Sequence, residues 1–384
     1  VIRGVLITPF ETVPGGAVVV EDGRITYVGA EDEAEVPART YDFHGDFVAP
    51  GFIDLHTHGG AGFDVMDATA GALDGVAGFL AAGGVTSFLP TASSAPHENL
   101  MALAHAVKTV MDRGPLSAEV LGLHLEGPYL NPARRGAQDA AYIRPPDIDE
   151  VAEIQREAGG AMRMLTLAPE AAGALEMAGW LRSQGVVPAV GHTDATYVEM
   201  EGAVDSGFRH VSHLFNGMRP FHHRDPGVVG AALTDDGVTV DVIADGVHLH
   251  PAALRLTVAT KGAERTALVS DSIGPAGLPD GEYLSGGRRV ILESGRCLLE
   301  LGVLAGSTIR LCEAVRNMME LTGRPLTEAV EMASTTPARI IGAADRKGRL
   351  EPGLDADLTV FDRRFNVLLT MVGGRVVYER GARP

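Results

Sequence analysis

Cysteine is nearly absent: the 384 residues hold two, Cys297 in a strand-like apolar run and Cys312 in a helix-like one, without metal-ligand spacing. That pattern excludes a disulfide-stapled scaffold and a cysteine zinc module; two reduced packing thiols are the expectation, which favours the cytoplasm. Long apolar runs are missing as well. Nothing approaches the roughly 20 consecutive apolar residues needed to cross a bilayer, so no membrane partner is expected. The segment Val1 to Phe10 has no basic region followed by an apolar stretch and does not read as a signal peptide. The chain opens on Val rather than Met, and nothing follows about what precedes it. Positive charge is scarce: 32 Lys and Arg face 50 Asp and Glu, a formal charge of -18. Such a surface repels nucleic acid and anionic membranes, and the basic residues form no run or stripe. An anionic substrate therefore needs a local cationic pocket.

What is present is enough apolar residue for a large core, 45% against 21% charged, in a regular alternation of strand-like and helix-like segments. Eight strand candidates follow one another: Phe52 to Leu55, Val85 to Leu89, Val120 to Leu125, Met164 to Leu167, Val187 to Val190, His210 to Leu214, Thr239 to Ile243 and Ala267 to Val269. Amphipathic stretches separate them, such as Asn99 to Met111 and Leu175 to Ser183, the latter with Trp180 on a packing face. Alternation of this kind predicts a parallel sheet with crossover helices, and the count of eight gives an α/β fold, a (β/α)8 TIM barrel. The first 50 residues and the last 40 read instead as short strands and turns, with Asp22-Gly23 and Gly373-Gly374 as hairpin signals. Neither end has enough apolar surface to fold alone. Residues 1–50 and 345–384 are therefore expected to pair into one small β-sandwich domain beside a barrel of residues 51–344. An insertion after strand eight carries the strand-like runs Val290 to Leu292 and Cys297 to Leu299, and the helix-like Thr308 to Leu321 and Thr327 to Ile341 close the barrel.

Side chains that bind metals fall at strand ends. His56 and His58 follow strand one with a spacing that puts both imidazoles on one side of an extended chain. Glu126 closes strand three, His192 strand five and His213 strand six. Barrel active sites lie at this rim, so all five side chains are predicted to converge there. Imidazole and carboxylate donors suit zinc, and also iron, manganese or cobalt. Asp271 closes strand eight, where a carboxylate faces the metal and can move a proton between water and a leaving amine. His248, after strand seven, completes the rim as a substrate contact, and Arg224, in the His222-His223-Arg224 loop, offers cationic density to a phosphate. His124 shares a strand face with Glu126 as an inward packing or supporting residue, and His210 starts strand six, too far from the rim for a ligand.

These residues sit in longer motifs: PGFIDLHTHG at 50–59, HLEGP at 124–128, GHTDAT at 191–196, SHLFNGM at 212–218, HHRDPG at 222–227, IADGVH at 243–248 and LAGS at 304–307. Together they make the chain resemble, almost end to end, the N-acetylglucosamine-6-phosphate deacetylases of the amidohydrolase superfamily. The resemblance implies hydrolysis of the N-acetyl group of a phosphorylated amino sugar, a small-molecule partner, with a divalent metal held by Glu126, His192 and His213 and Asp271 as general acid/base. It also implies substrate contacts from Asn216, Gly217, Arg224 and His248, and from Leu304, Ala305 and Gly306 on the acetyl side. Some members lack the His-x-His pair and bind one ion; His56 and His58 are both present here, so one or two ions per subunit fit, with Glu126 as the bridge. Gln138, beside Ala137, occupies a place where some members carry a histidine that polarises the acetamide carbonyl; an amide NH2 donates a hydrogen bond there without charge. Members are commonly homodimers in which a neighbouring subunit helps bind the phosphate. N-acetylgalactosamine 6-phosphate is the alternative substrate, and a catalytically inactive binding protein the alternative class. Cyclic-amide hydrolases of the superfamily bridge two metals with a carboxylated lysine at strand four, and this chain has only Lys108, Lys261 and Lys347, none at a strand end.

Overall fold

The computed structural model describes residues 1–8, 11–34 and 39–381. Its centre is a parallel sheet whose path runs through eight strands, from Phe52–Thr57 and Val85–Ala92 through Leu123–Glu126, Met162–Leu167, Val187–Val190 and His210–Val211 to Thr239–Ile243 and Thr266–Val269. A bridge between Thr57 and Ser272 joins the first strand to the segment after the last, closing the ring. The first two strands are buried at every position. That is the continuous burial expected of parallel strands covered by helices, and it takes in polar residues such as Asp54, His56 and Ser87 along with the apolar ones. The helices pack outside, and Trp180, on Ala174–Ser183, lies partly buried against the main core.

Three elements differ from the sequence expectation. Strand three is broken into Glu119–Val120 and Leu123–Glu126. The break falls at Gly122, whose φ of 152° leaves a Cβ 2.2 Å from the Ala161 carbonyl oxygen; only glycine fits. Strand six ends at Val211, so His213 stands in the turn beyond it. The single helix expected over 327–341 is two, Leu326–Ala333 and Thr335–Ile340, interrupted at Ser334, whose φ of -135° is not helical.

Both chain ends meet in one seven-stranded mixed sheet. Tyr41–Pro50 lies parallel to Ile2–Ile7 and antiparallel to Leu358–Phe361. Ile2, Val18, Val48, Leu358 and Leu369 fill its core. Asp22-Gly23 and Gly373-Gly374 make its hairpin turns with positive φ at all four residues, as the primed turns require. Pro50 then hands the chain to the first barrel strand. A four-stranded antiparallel sheet, Gly281–Ser285, Arg288–Glu293, Arg296–Leu299 and Leu304–Gly306, forms the insertion after strand eight. Its turn residues Ser285 to Arg288 and its last strand stand in the wall of the cavity at the strand ends. No helix among the described residues is long and apolar enough to cross a membrane.

Candidate active site

The cavity at the C-terminal ends of the barrel strands measures about 880 Å³. At its floor four imidazoles converge on one carboxylate. Nε2 of His213 and of His192 lie 2.8 and 2.9 Å from Glu126 Oε1, and His56 Nε2 lies 3.4 Å from the same oxygen. His58 Nε2 stands 3.3 Å from Glu126 Oε2 and 3.4 Å from Asp271 Oδ1. His56 and His58 approach each other at 3.2 Å through Nε2. All five side chains expected at the rim are thus brought together, with Asp271 beside the His56–His58 pair, and all are buried except Asp271, which is partly exposed.

The backbone that aims them is unusual. His192, His213 and Asp271 have φ values of 47°, 34° and 48°. Non-glycine residues rarely occupy this left-handed region, and such strain concentrates at functional sites. At each of these strand ends the turn swings the side chain inward over the barrel mouth. Tertiary hydrogen bonds hold the turns: the Asp271 amide donates to the His56 carbonyl at 2.8 Å, and the His213 amide donates to the buried carboxylate of Asp241, which also accepts from His210 Nε2 at 2.9 Å. Gly217 closes against His192; a Cβ there would come within 2.8 Å of His192 Nδ1.

Proton placement shows that the residues fit a cation. His58 Nδ1 faces the Thr91 carbonyl at 3.0 Å, and His192 Nδ1 faces the Arg134 carbonyl at 2.9 Å. A carbonyl only accepts, so both rings carry hydrogen on Nδ1 and turn the Nε2 lone pair toward Glu126. A lone pair facing a carboxylate oxygen is repulsive unless a proton or a metal ion stands between them. Without a metal, protons are drawn in. Burial works against charging His213, yet the hydrogen bond and charge of Glu126 push it up to about 9. Burial likewise opposes charging His58, but Asp271 and Glu126 hold it well above the ordinary imidazole range. Burial favours a protonated Asp271; the hydrogen bond from His58 and the charge of His56 outweigh it and keep the carboxyl below its usual range, ionised and able to accept a proton. Two sets of ligand atoms, His56 with Glu126 and His213, and His56 with His58 and Asp271, each lie within 4.8 Å of one another. A third acidic group, Glu119, Asp355 and Asp357, meets the buried Lys347 at 2.5 to 3.3 Å and so already has its counter-charge.

The other expected contacts divide. Ala137, Gln138, Asn216, Gly217, His248, Leu304, Ala305 and Gly306 all line the cavity. His248 is fixed by Asp245, which accepts from its backbone amide at 2.8 Å and pairs with its Nδ1 at 2.7 Å. Gln138 Oε1 accepts from the Ser94 amide at 2.7 Å, which orients the side chain so that Nε2 donates to Glu126 Oε2 at 2.5 Å. Arg224 is not in the cavity wall; it lies exposed with Nη1 2.8 Å from His223 Nε2, and Asp225 pairs with Arg219 instead. His124 is buried under the rim, with Nδ1 3.0 Å from the Leu55 carbonyl and Nε2 2.8 Å from Thr166 Oγ1. Asp241, Asp64, Ser94 and Arg288 had no motif to announce them, because each acts through a partner distant in sequence.

Residues 47–377 match the family model described as the amidohydrolase family. The chain belongs to the amidohydrolase family. Over 377 residues it is 39% identical to the N-acetylglucosamine-6-phosphate deacetylase of Bacillus subtilis (strain 168), covering 97% of this chain and 95% of that protein. Identity is also 39% over 341 residues to the N-acetylgalactosamine-6-phosphate deacetylase of Escherichia coli O157:H7, covering 89% and 90% of the two chains. The fold superposes with a TM-score of 0.93 on a mutant N-acetyl-D-glucosamine-6-phosphate deacetylase from Mycobacterium smegmatis, solved with N-acetyl-D-glucosamine-6-phosphate, at 33% identity over 98% of each chain.

Proposed function

We propose that this chain is a metal-dependent deacetylase that hydrolyses N-acetylglucosamine 6-phosphate to glucosamine 6-phosphate and acetate. The observation that carries this reading is the Glu126 carboxylate with four imidazole Nε2 atoms within 3.4 Å and Asp271 beside them. Relatives alike over nearly the full length support the substrate class. Glu126, His192 and His213 would hold the principal ion, and His56 and His58 would offer a second place beside Glu126. Zinc suits the donors first, with iron, manganese and cobalt as alternatives. Bound there, a divalent ion supplies Lewis acidity, which lowers the pKa of water toward neutrality and polarises a carbonyl.

The chain's own residues do the rest. Asp271, ionised, takes the proton of the attacking water as its oxygen adds to the acetyl carbon. The second N–H of Gln138 donates to the acetyl oxygen as it gains negative charge. Asp271 then returns the proton to the amine nitrogen, the C–N bond breaks, and the sugar leaves as the amine with acetate as co-product. Leu304, Ala305 and Gly306 wall the acetyl side, and Asn216, Gly217 and His248 face the sugar phosphate. Arg224 lies exposed outside the cavity of its own chain, so a phosphate contact by it would have to come from a neighbouring copy, in a homodimer. No lysine reaches the rim among the described residues: Lys108 pairs with Asp112, Lys261 donates to the Asp235 carbonyl and Lys347 pairs with Asp357, which disfavours the carboxylated-lysine chemistry of cyclic-amide hydrolases.

The 39% identity to a galactosamine-epimer enzyme makes N-acetylgalactosamine 6-phosphate the second reading. Acetate release from both epimers and from unphosphorylated N-acetylglucosamine separates the two. The expected result is fast release from the gluco phosphate and at least about tenfold slower release from each other sugar, the lower end of what a pocket contact discriminates. Preference for the galacto epimer would exchange the two readings.

A further inference from the structure

Arg288 is a cation in the cavity wall that neither the ligand set nor the sugar-facing loops use. It begins the strand Arg288–Glu293, directly after the turn of the insertion hairpin. That turn is tied to the barrel, because Asp64 accepts from the Ser285 hydroxyl at 2.7 Å and from the Gly286 amide at 2.8 Å. From this anchored hairpin Arg288 donates through Nη1 to the Ala137 carbonyl oxygen at 2.5 Å.

The carbonyl matters because of the peptide it belongs to. Ala137 C=O and Gln138 N–H share one planar unit, and the Gln138 N–H donates to the Arg135 carbonyl at 2.9 Å. The plane is therefore pinned at its oxygen by Arg288 and at its nitrogen by Arg135. A pinned plane fixes the direction in which the Gln138 side chain leaves the loop, toward Ser94 on one side and Glu126 on the other.

We infer that Arg288 is a positioning residue for the deacetylation, reaching from the insertion sheet to hold the Ala137–Gln138 peptide so that Gln138 aims its amide at Glu126 and the acetyl oxygen. Arg288 acts through Gln138 and leaves the reacting atoms untouched. The inference rests on the role proposed above for Gln138.

Steady-state kinetics on N-acetylglucosamine 6-phosphate test it with Gln138→Ala, Arg288→Ala, Arg288→Lys and the double alanine variant of the metal-loaded protein. Loss of one oxyanion donor lowers kcat by about 100-fold, and that is the expectation for Gln138→Ala. Arg288→Ala should lower kcat about tenfold, the scale of a small misplacement, with KM changed less than about twofold. Arg288→Lys keeps a donor for the carbonyl and should recover most of the rate. The double variant should be no slower than Gln138→Ala alone, because one residue works through the other. Additive losses, or a loss confined to KM, would overturn the inference. A measurement without turnover keeps it separate from the activity: hydrogen exchange of the Gln138 backbone amide should quicken about tenfold in Arg288→Ala and stay near wild type in Arg288→Lys. Unchanged exchange in Arg288→Ala overturns the positioning role whatever the enzyme acts on. A wild-type protein inactive on every sugar phosphate sinks the proposed function and leaves the exchange result to decide this one.

Discussion

Asp271→Asn is expected to lower kcat by about 1,000-fold or more while metal content stays near the wild-type value. General acid–base groups contribute about 100- to 10,000-fold, and Asp271 serves twice, once toward water and once toward the leaving amine. Asparagine keeps the size and one carbonyl oxygen, so the left-handed turn, with Asp271 N donating to His56 O at 2.8 Å, is retained. What is lost is a basic oxygen beside His58. The imidazole cluster on Glu126 stays intact, so metal retention should not follow activity downward. Metal analysis of the purified variant beside its acetate-release rate checks this. A rate within about tenfold of wild type would remove Asp271 from proton transfer.

Glu126→Gln should act on the other half of the chemistry, emptying the protein of metal and abolishing turnover together. All four histidines point Nε2 at the Glu126 oxygens, at 2.8 to 3.4 Å. An amide has one oxygen and no charge, and its NH2 would be aimed at the same lone pairs a cation needs. The charge that draws His213 up to about 9 disappears with it, so the site loses its attraction for protons and metal alike. Metal per chain is expected to fall at least about tenfold after dialysis, within the range for an altered ligand environment. A Glu126→Gln protein that retains wild-type metal would show that the histidines alone define the centre.

Much of this was legible in the sequence, for a physical reason. Parallel barrel strands are buried on both faces, so they read as apolar runs, and a polar residue ending such a run stands out at the rim. His56, Glu126, His192, His213 and Asp271 stand out in that way, and the structure brings them together. The turns that aim them were not legible: nothing local in the sequence distinguishes His213 in a left-handed turn from His213 in a strand, because what holds its amide is Asp241, 28 residues away. Loop position groups Arg224 with the site, yet the exposed loop leaves it outside the cavity of its own chain. The hold of Arg288 on Ala137 spans 151 residues and depends on an inserted hairpin whose docking no periodicity reveals.

The most direct measurement is acetate release from N-acetylglucosamine 6-phosphate by metal-stripped wild-type protein titrated with zinc, and in parallel with iron, manganese or cobalt. The expected result is negligible release without metal and recovery that saturates at one or two equivalents per chain with at least one of these ions. Full release by metal-free protein, or none with any of the four, would contradict a metal-dependent deacetylase centred on Glu126.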